Sequence, residues 1–176
     1  HNVRTGETKS MAGYNLERLK ILIVDDNMHM RSMVRSILYA LGVRDVETAT
    51  DGLSAFNQLH YFSADVILCD WNMEPMNGLD FVKLVRTDTD TPNPYVPIIM
   101  LTGYSEEERV IEARDSGVHE FLAKPVSADK LYNRIKAVIE NERIFVKAGG
   151  YFGPDRRRHD SPNFTDPDRR KPKVEN

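Results

Sequence analysis

The sequence predicts an α/β protein built on a parallel sheet. From Lys20 onward, short runs rich in β-branched residues alternate five times with segments whose apolar residues recur at helical spacing. The first, third and fourth runs are almost wholly apolar, as expected for strands that are buried on both faces. Right-handed crossovers then place helices on both sides of the sheet. We expect a flavodoxin-like (βα)5 sandwich of three layers, with five parallel strands in the order 2-1-3-4-5.

The predicted strands are the short apolar runs themselves, at residues 20–24, 45–49, 66–69, 98–101 and 119–122. The runs ILIV, VILC and IIML contain no charged residue, so we expect the first, third and fourth strands at the centre of the sheet. The second run carries charged residues, which favours a place at an edge.

The predicted helices follow the strands in order. Gly42 is a stop signal for the first helix, and Ser105 with Glu108 has the spacing of a capping box that opens the fourth. The predicted helices cover residues 30–41, 51–61 and 79–85, then begin at Ser105 and, for the fifth, near Ser127, with helical spacing continuing through residue 145.

Composition limits the class of protein. The chain has 176 residues, of which 40% are hydrophobic, enough for one ordinary globular core. The net charge of -3 offers no bulk argument for binding nucleic acid or an anionic membrane. Cys69 is the single cysteine, which excludes an internal disulfide, and no apolar run is long enough to cross a bilayer. We expect a cytoplasmic protein without membrane insertion, in which Cys69 is a buried packing residue.

The chain divides into three parts. Residues 1–18 are an N-terminal extension without the apolar core of a secretory signal; we expect residues 1–10 to be partly artificial and Met11 to be the natural start. Residues 19–148 form the folded domain. Residues 149–176 are rich in proline and arginine and carry a net charge of about +2, so we expect a mobile tail. The alternative is a docking segment that folds onto a partner.

Acidic side chains follow two of the predicted central strands. Asp25 and Asp26 come directly after the first strand, and Asp70 directly after the third. Ligands of open parallel sheets bind beyond the carboxyl ends of the strands, so these carboxylates should share one edge. Close carboxylates repel one another unless a cation lies between them, and a site with few oxygen ligands suits Mg²⁺, with Mn²⁺ as an alternative. Taken alone, the acidic pair fits a helix cap equally well.

Two further residues extend the predicted site. Thr102 follows the fourth strand, and Lys124 lies just after the fifth. A lysine ammonium can neutralise the charge of a phosphorylated Asp70, while a threonine hydroxyl can donate to a phosphoryl oxygen. Each residue alone is an ordinary surface residue or strand cap. Together with the carboxylates they indicate a phosphoryl site.

Four segments then match a known pattern in order: ILIVDDNMHMRSMVRSIL, VILCDWNMEPMNGLDFVKLVR, PIIMLTG and FLAKP. From about residue 20 to residue 141, the chain resembles the receiver domain of two-component response regulators, in particular the single-domain chemotaxis type. The resemblance implies that Asp70 accepts a phosphoryl group from a sensor histidine kinase or a histidine phosphotransfer protein. It also implies that Mg²⁺ is held by Asp25, Asp26 and Asp70 together with the backbone carbonyl of Asn72.

The resemblance implies roles for other residues as well. Thr102 and Lys124 would contact the phosphoryl group, and Thr102 would move together with Phe121 as a switch. A cis peptide bond is expected between Lys124 and the proline that follows it. Asn72 and Tyr104 lie where water would approach the acyl phosphate, and we expect the bulk of Tyr104 to retard that water and lengthen the signal.

The partner implied by the resemblance is an output protein of unknown identity. It would bind the face formed by the predicted fourth helix, fifth strand and fifth helix, and the domain would be a monomer or a phosphorylation-dependent dimer. We expect no direct DNA binding, because the residues after the fifth helix are too few for a helix-turn-helix domain.

Two alternatives stay open. One is an intermediate in a phosphorelay. The other is a Mg²⁺-dependent phosphatase with an aspartate nucleophile, which would need a second carboxylate two residues after Asp70, where this chain has Asn72. We therefore expect no enzymatic activity other than the domain's own phosphorylation and dephosphorylation.

Overall fold

The five strands form one parallel sheet. The structure is a computed structural model that describes residues 16–103, 115 and 117–147, without the side chains of 142–147. The strand order is β2-β1-β3-β4-β5, which confirms the predicted order and the edge position of β2. Three strands end one residue later than predicted, so Asp70 and Thr102 are the last residues of their strands. The strands are β1 Lys20–Val24, β2 Asp45–Ala49, β3 Val66–Asp70, β4 Ile98–Thr102 and β5 Glu120–Ala123.

Four α-helices and one short 3-10 helix, Leu16–Arg18, lie in the described part of the chain. The last α-helix corresponds to the predicted fifth, because the residues of the predicted fourth, from Ser105 onward, lie outside the described ranges. No helix of these ranges is long and apolar enough to cross a membrane. The α-helices are α1 Met28–Ala40, α2 Gly52–Gln58, α3 Gly78–Thr87 and α4 Ala128–Lys147.

Helix α2 is shorter than its prediction of residues 51–61. Asp51 is its N-cap, with a side chain that accepts a hydrogen bond from the Ser54 amide. Beyond Gln58, the amides of His60 and Tyr61 bond to carbonyls only three residues back, so the chain continues in tighter turns. The stop predicted for α1 is confirmed, since Gly42 has a φ of 105° in the region that favours glycine.

The sheet separates two hydrophobic clusters. Along β1, Ile21 and Ile23 point into the cluster covered by α1 and α4, while Leu22 and Val24 point into the cluster covered by α2 and α3. Strands β3 and β4 are buried along their whole length. The helices therefore lie on both faces of the sheet, and the predicted three-layer architecture is confirmed.

A buried arginine ties the start of β5 to α3. The guanidinium of Arg86, a residue of α3, donates from Nε and Nη2 to the Gly117 carbonyl at 3.1 and 2.7 Å. Its Nη1 donates to the carbonyls of Pro94 and Val96 at 2.9 and 2.7 Å. These bonds hold together the loop before β4 and the residues that lead into β5. They lie at the end of the sheet that is remote from Asp70.

His60 connects the end of α2 to the loop after α3. Its Nδ1 lies 3.2 Å from the Phe56 carbonyl, and its Nε2 lies 3.0 Å from the Asp90 carbonyl and 3.3 Å from the Asp90 carboxylate. A neutral imidazole has one N–H donor, so only the protonated ring can donate to both carbonyls. Desolvation acts to lower the pKa of His60, but these carbonyls and the Asp90 carboxylate outweigh it and raise the pKa above its usual 6.5.

We predict that His60 makes folding stability depend on pH. Because the pKa is higher in the folded chain, the contribution is complete below the unfolded pKa of about 6.5 and is lost as pH rises through the folded value. Urea unfolding at pH 5.5 and pH 8.5 should show that His60→Gln loses more stability, relative to wild type, at the lower pH. Leu53→Gln, at an exposed side chain of α2 that does not titrate, is the control and should show the same small effect at both. An equal loss at both pH values for His60→Gln would contradict the prediction.

Candidate functional site

Three carboxylates meet at the carboxyl ends of β1 and β3. Each of Asp25, Asp26 and Asp70 has an oxygen that lies within 4.8 Å of the others. The two strands are parallel neighbours in which Val24 pairs with Cys69, so the residues that follow each pair are brought side by side. The pairing of β1 with β3 thus brings the three carboxylates together, as the predicted strand order implies.

The main chain and one oxygen of Asp25 are held in place. The Asp25 amide donates to the Ala49 carbonyl at 3.1 Å, and the Asp25 carbonyl accepts from Arg31 Nη1 at 2.8 Å. Oδ1 accepts from the Asn27 amide at 2.9 Å. Within the described ranges, the buried Oδ2 has no hydrogen-bond donor. One oxygen is therefore used for structure, and the other is left to face a ligand.

The electrostatics of Asp25 reflect this arrangement. Burial raises the pKa of Asp25 to about 6, the hydrogen bond from Asn27 opposes the rise, and the nearby charge of Asp70 adds to it. An ionised Asp25 is thus costly at neutral pH unless a cation approaches Oδ2.

The helix-cap interpretation of the acidic pair is wrong. Asn27 is the N-cap of α1, and its side chain accepts the Met30 amide at 2.9 Å. Asparagine performs the capping, so neither Asp25 nor Asp26 is needed for it. Asp26 is exposed and lines the cavity beside the cluster.

Asp70 is buried and forms an ion pair with Lys124. The Lys124 Nζ lies 2.7 Å from Asp70 Oδ1, and the Asp70 residue is only 4% exposed. Burial raises the pKa of Asp70, and the contact with Lys124 opposes that rise. The Lys124 amide donates to the Thr102 carbonyl at 2.9 Å, so the ends of β4 and β5 hold the lysine over the carboxylate. The expected cis bond between Lys124 and Pro125 is present.

A cavity of about 420 Å³ opens beside these carboxylates. Side chains of α1 line part of this cavity, and Asn72 and Lys124 also line it. Sequence reasoning assigned no site role to Asn27 or to the methionines that line the cavity, although Met30 and Met33 recur at the spacing of one helix face. The lining residues are Asp25, Asp26, Asn27, His29, Met30, Met33, Asp70, Asn72 and Lys124.

The remaining predicted residues are distributed as follows. Thr102 is buried at the end of β4 and is 5% exposed. Phe121 pairs with Met100 across β4 and β5 and is half-buried against the cluster of α2 and α3. Asn72 is exposed at the cavity. Tyr104, the residue expected to retard water, lies outside the described ranges.

The cluster fits a hard divalent cation. It offers carboxylate oxygens from three residues, one of which is buried without a donor, and Mg²⁺ binds through a few such oxygens while keeping several waters. A cation would also relieve the mutual repulsion of the carboxylates. Asp25, Asp26 and Asp70 would therefore hold the ion.

We predict that Asp25→Asn makes the protein more stable without metal and less responsive to metal. The folded pKa of about 6 exceeds the ordinary 3.8, so stability falls as pH rises through this window. In EDTA at pH 7.5, the neutral amide should raise the free energy of unfolding by about 1–3 kcal/mol, with little gain at pH 4.

Urea unfolding with EDTA and with saturating Mg²⁺ checks this prediction. Mg²⁺ should stabilise the wild type and have a much smaller effect on Asp25→Asn. The matched control is Asp45→Asn, an exposed carboxylate on β2, which should change stability by less than about 0.5 kcal/mol and keep the response to Mg²⁺. A variant that loses stability in EDTA would contradict the prediction.

Comparison with protein families gives one consistent result. The family model for the response regulator receiver domain matches residues 21–136. Chemotaxis protein CheY-3 of Vibrio cholerae is 36% identical over 124 residues, which are 70% of this chain and 94% of that protein. Chemotaxis protein CheY of Pseudomonas aeruginosa is 35% identical over 122 residues, 69% of this chain and 97% of the relative.

Solved structures agree with the sequence comparison. Chemotaxis protein CheY4 of Vibrio cholerae has a TM-score of 0.62 and 36% identity, covering 68% of this chain and 98% of that one. The receiver domain of a sensor histidine kinase from Pseudomonas aeruginosa, solved with magnesium coordinated in its active-site cleft, has a TM-score of 0.61 and 27% identity. That match covers 69% of this chain and 98% of the other.

Proposed function

The chain belongs to the family of response regulator receiver domains, and we propose that Asp70 is the residue that accepts the phosphoryl group. Receiver domains of this family act in two-component signalling, where phosphorylation of an aspartate is characteristic. The ion pair of Asp70 with Lys124 at 2.7 Å, beside the other carboxylates, carries the proposal. A nucleophile, a cation and metal ligands would then share one cavity, which supports the proposal.

The proposed reaction transfers a phosphoryl group from a phosphohistidine of the donor protein. An oxygen of the ionised Asp70 attacks phosphorus, the new O–P bond forms as the N–P bond breaks, and the imidazole leaves with the bonding electrons. The transition state is loose and in-line, so positioning and charge neutralisation provide most of the rate. Mg²⁺, when held by the three carboxylates, supplies part of that neutralisation.

Lys124 has two successive tasks in this proposal. Before transfer, its ammonium opposes the effect of burial on the pKa of Asp70 and so favours the ionised form, which a nucleophile requires. After transfer, the same ammonium can pair with a phosphoryl oxygen, because it lies on the cavity wall next to the acceptor. The Thr102 hydroxyl, at the end of the adjacent strand, is the proposed donor to another phosphoryl oxygen.

The proposed output involves β5. Thr102 would be drawn toward the phosphoryl group, and Phe121, half-buried one strand away, would turn further into the cluster that it already contacts. This change would alter the face that includes β5 and α4, where an output protein would bind. The donor would be a histidine kinase or a histidine phosphotransfer protein, and residues 19–148 would be the switching unit.

We predict that a small acyl phosphate with Mg²⁺ adds one phosphoryl group per chain, at Asp70. Intact-protein mass spectrometry and sensitivity to base would identify the acyl phosphate. Asp70→Asn should abolish the modification, and so should EDTA. Asp65→Asn, at an exposed carboxylate before β3, is the matched control and should be modified like the wild type.

An assay of the same protein with a phosphate monoester distinguishes a receiver from a phosphatase. A receiver should leave a phosphate monoester such as an aryl phosphate intact, because Asn72 occupies the position where a phosphatase would need its acid or base. Sustained hydrolysis of the monoester would contradict the proposal, as would full modification of Asp70→Asn.

A further inference from the structure

Gly78, the first residue of α3, lies directly behind the main chain of Asp70. Its amide donates to the Trp71 carbonyl at 2.8 Å. A Cβ atom added at Gly78 would lie 2.5 Å from the Asp70 carbonyl oxygen and 2.8 Å from both Trp71 Cα and Met100 Sδ. Real Cβ contacts are essentially never shorter than 3.0 Å, so a side chain at this position requires the main chain of the acceptor to move.

The Asp70 carbonyl has little freedom to move away. The buried Cys69 thiol donates to it at 3.3 Å, and the next amide, that of Trp71, is bonded to the Leu101 carbonyl at 3.1 Å. To reach an ordinary contact of 3.4 Å with a Cβ at Gly78, the carbonyl oxygen would have to shift by about 1 Å. That shift would rotate the peptide that carries the carboxylate.

Gly52 provides a natural comparison. Like Gly78, it is buried, begins a helix and follows an N-cap residue whose side chain accepts an amide of the first turn. A Cβ at Gly52 would meet Met76 Sδ at 2.6 Å, the far end of a flexible side chain, and otherwise only ordinary contacts at 3.4 Å. Of these two glycines, only Gly78 abuts the main chain of Asp70.

We infer that Gly78 is a positioning residue for the phosphoacceptor. Because Gly78 has no side chain, the start of α3 can lie against the Asp70 peptide. This packing holds the Asp70 carboxylate beside Lys124 and the acidic pair. The inference rests on the proposed role of Asp70. Gly78 would thus affect catalysis indirectly, through the main chain of Asp70 and not through a side chain of α3.

The test compares rates of phosphorylation by a small acyl phosphate at saturating Mg²⁺ and donor, followed by intact-protein mass spectrometry. Gly78→Ala should lower the maximal rate about 10- to 100-fold, because displacements of about 1 Å at a reacting group have effects of this size. Gly52→Ala should stay within about twofold of wild type. Gly42→Ala controls for destabilisation, because its φ of 105° strains any side chain while nothing lies within 4 Å of the added Cβ.

Urea unfolding of each variant shows whether lost rate follows lost stability. If Gly78→Ala is folded and matches the wild-type rate, the inference is wrong. If Gly78→Ala does not fold in buffer, it is assayed in a stabilising osmolyte such as trimethylamine N-oxide, which favours the folded chain and leaves the main-chain contact in place. That variant should remain slow, and a wild-type rate would overturn the inference. A wild type that takes no phosphoryl group at Asp70 would instead overturn the proposed function.

Discussion

Repulsion among three carboxylates at one end of two neighbouring strands is the constraint to which the surrounding structure responds. Burial itself raises the pKa of both Asp25 and Asp70, and the charges of the neighbouring carboxylates add to the rise. Lys124 compensates for Asp70 from the end of β5, while the free oxygen of Asp25 leaves a position that a divalent cation can satisfy. The domain is therefore built around a charge imbalance that its own side chains only partly correct. In the proposed reaction, a phosphoryl group on Asp70 and a metal ion beside it would alter that balance.

The carboxylates of the proposed site are supported by residues that take no part in the proposed reaction. Asp25 is fixed by bonds from Asn27 and Arg31, and Asp70 lies against the start of α3. These contacts hold the carboxylates close together despite their mutual repulsion. Functional sites commonly keep such an arrangement although it lowers stability. The opposite end of the sheet shows a different solution. There, Arg86 is buried with carbonyl acceptors for its N–H groups and holds the residues that lead into β5.

Much of the fold and of the acidic cluster could be predicted from the sequence, because both follow from a single rule of parallel sheets. Apolar runs define the strands, their order determines which ends are adjacent, and the residues after those ends must converge; Asp25, Asp70 and Lys124 were predicted on that basis. The errors have local causes. Helix α2 ends earlier than its sequence predicts, because tighter turns continue the helical spacing of apolar residues beyond it. Contacts such as that of Arg31 with a carbonyl, or of Gly78 with a peptide group, depend on the rotation and approach of a helix, which the spacing of residues along one segment does not determine.

The division of the interior by the sheet has one more consequence. Trp71, Met100 and Phe121, the apolar neighbours of the acceptor and of the proposed switch, all belong to the cluster under α2 and α3, whereas α1 and α4 enclose the other cluster. Substitutions on these two sides are separated by a layer of hydrogen-bonded backbone and should combine almost additively. Core substitutions beneath α1 and α4 should therefore reach the proposed switch through the strands themselves rather than through direct contact with Phe121.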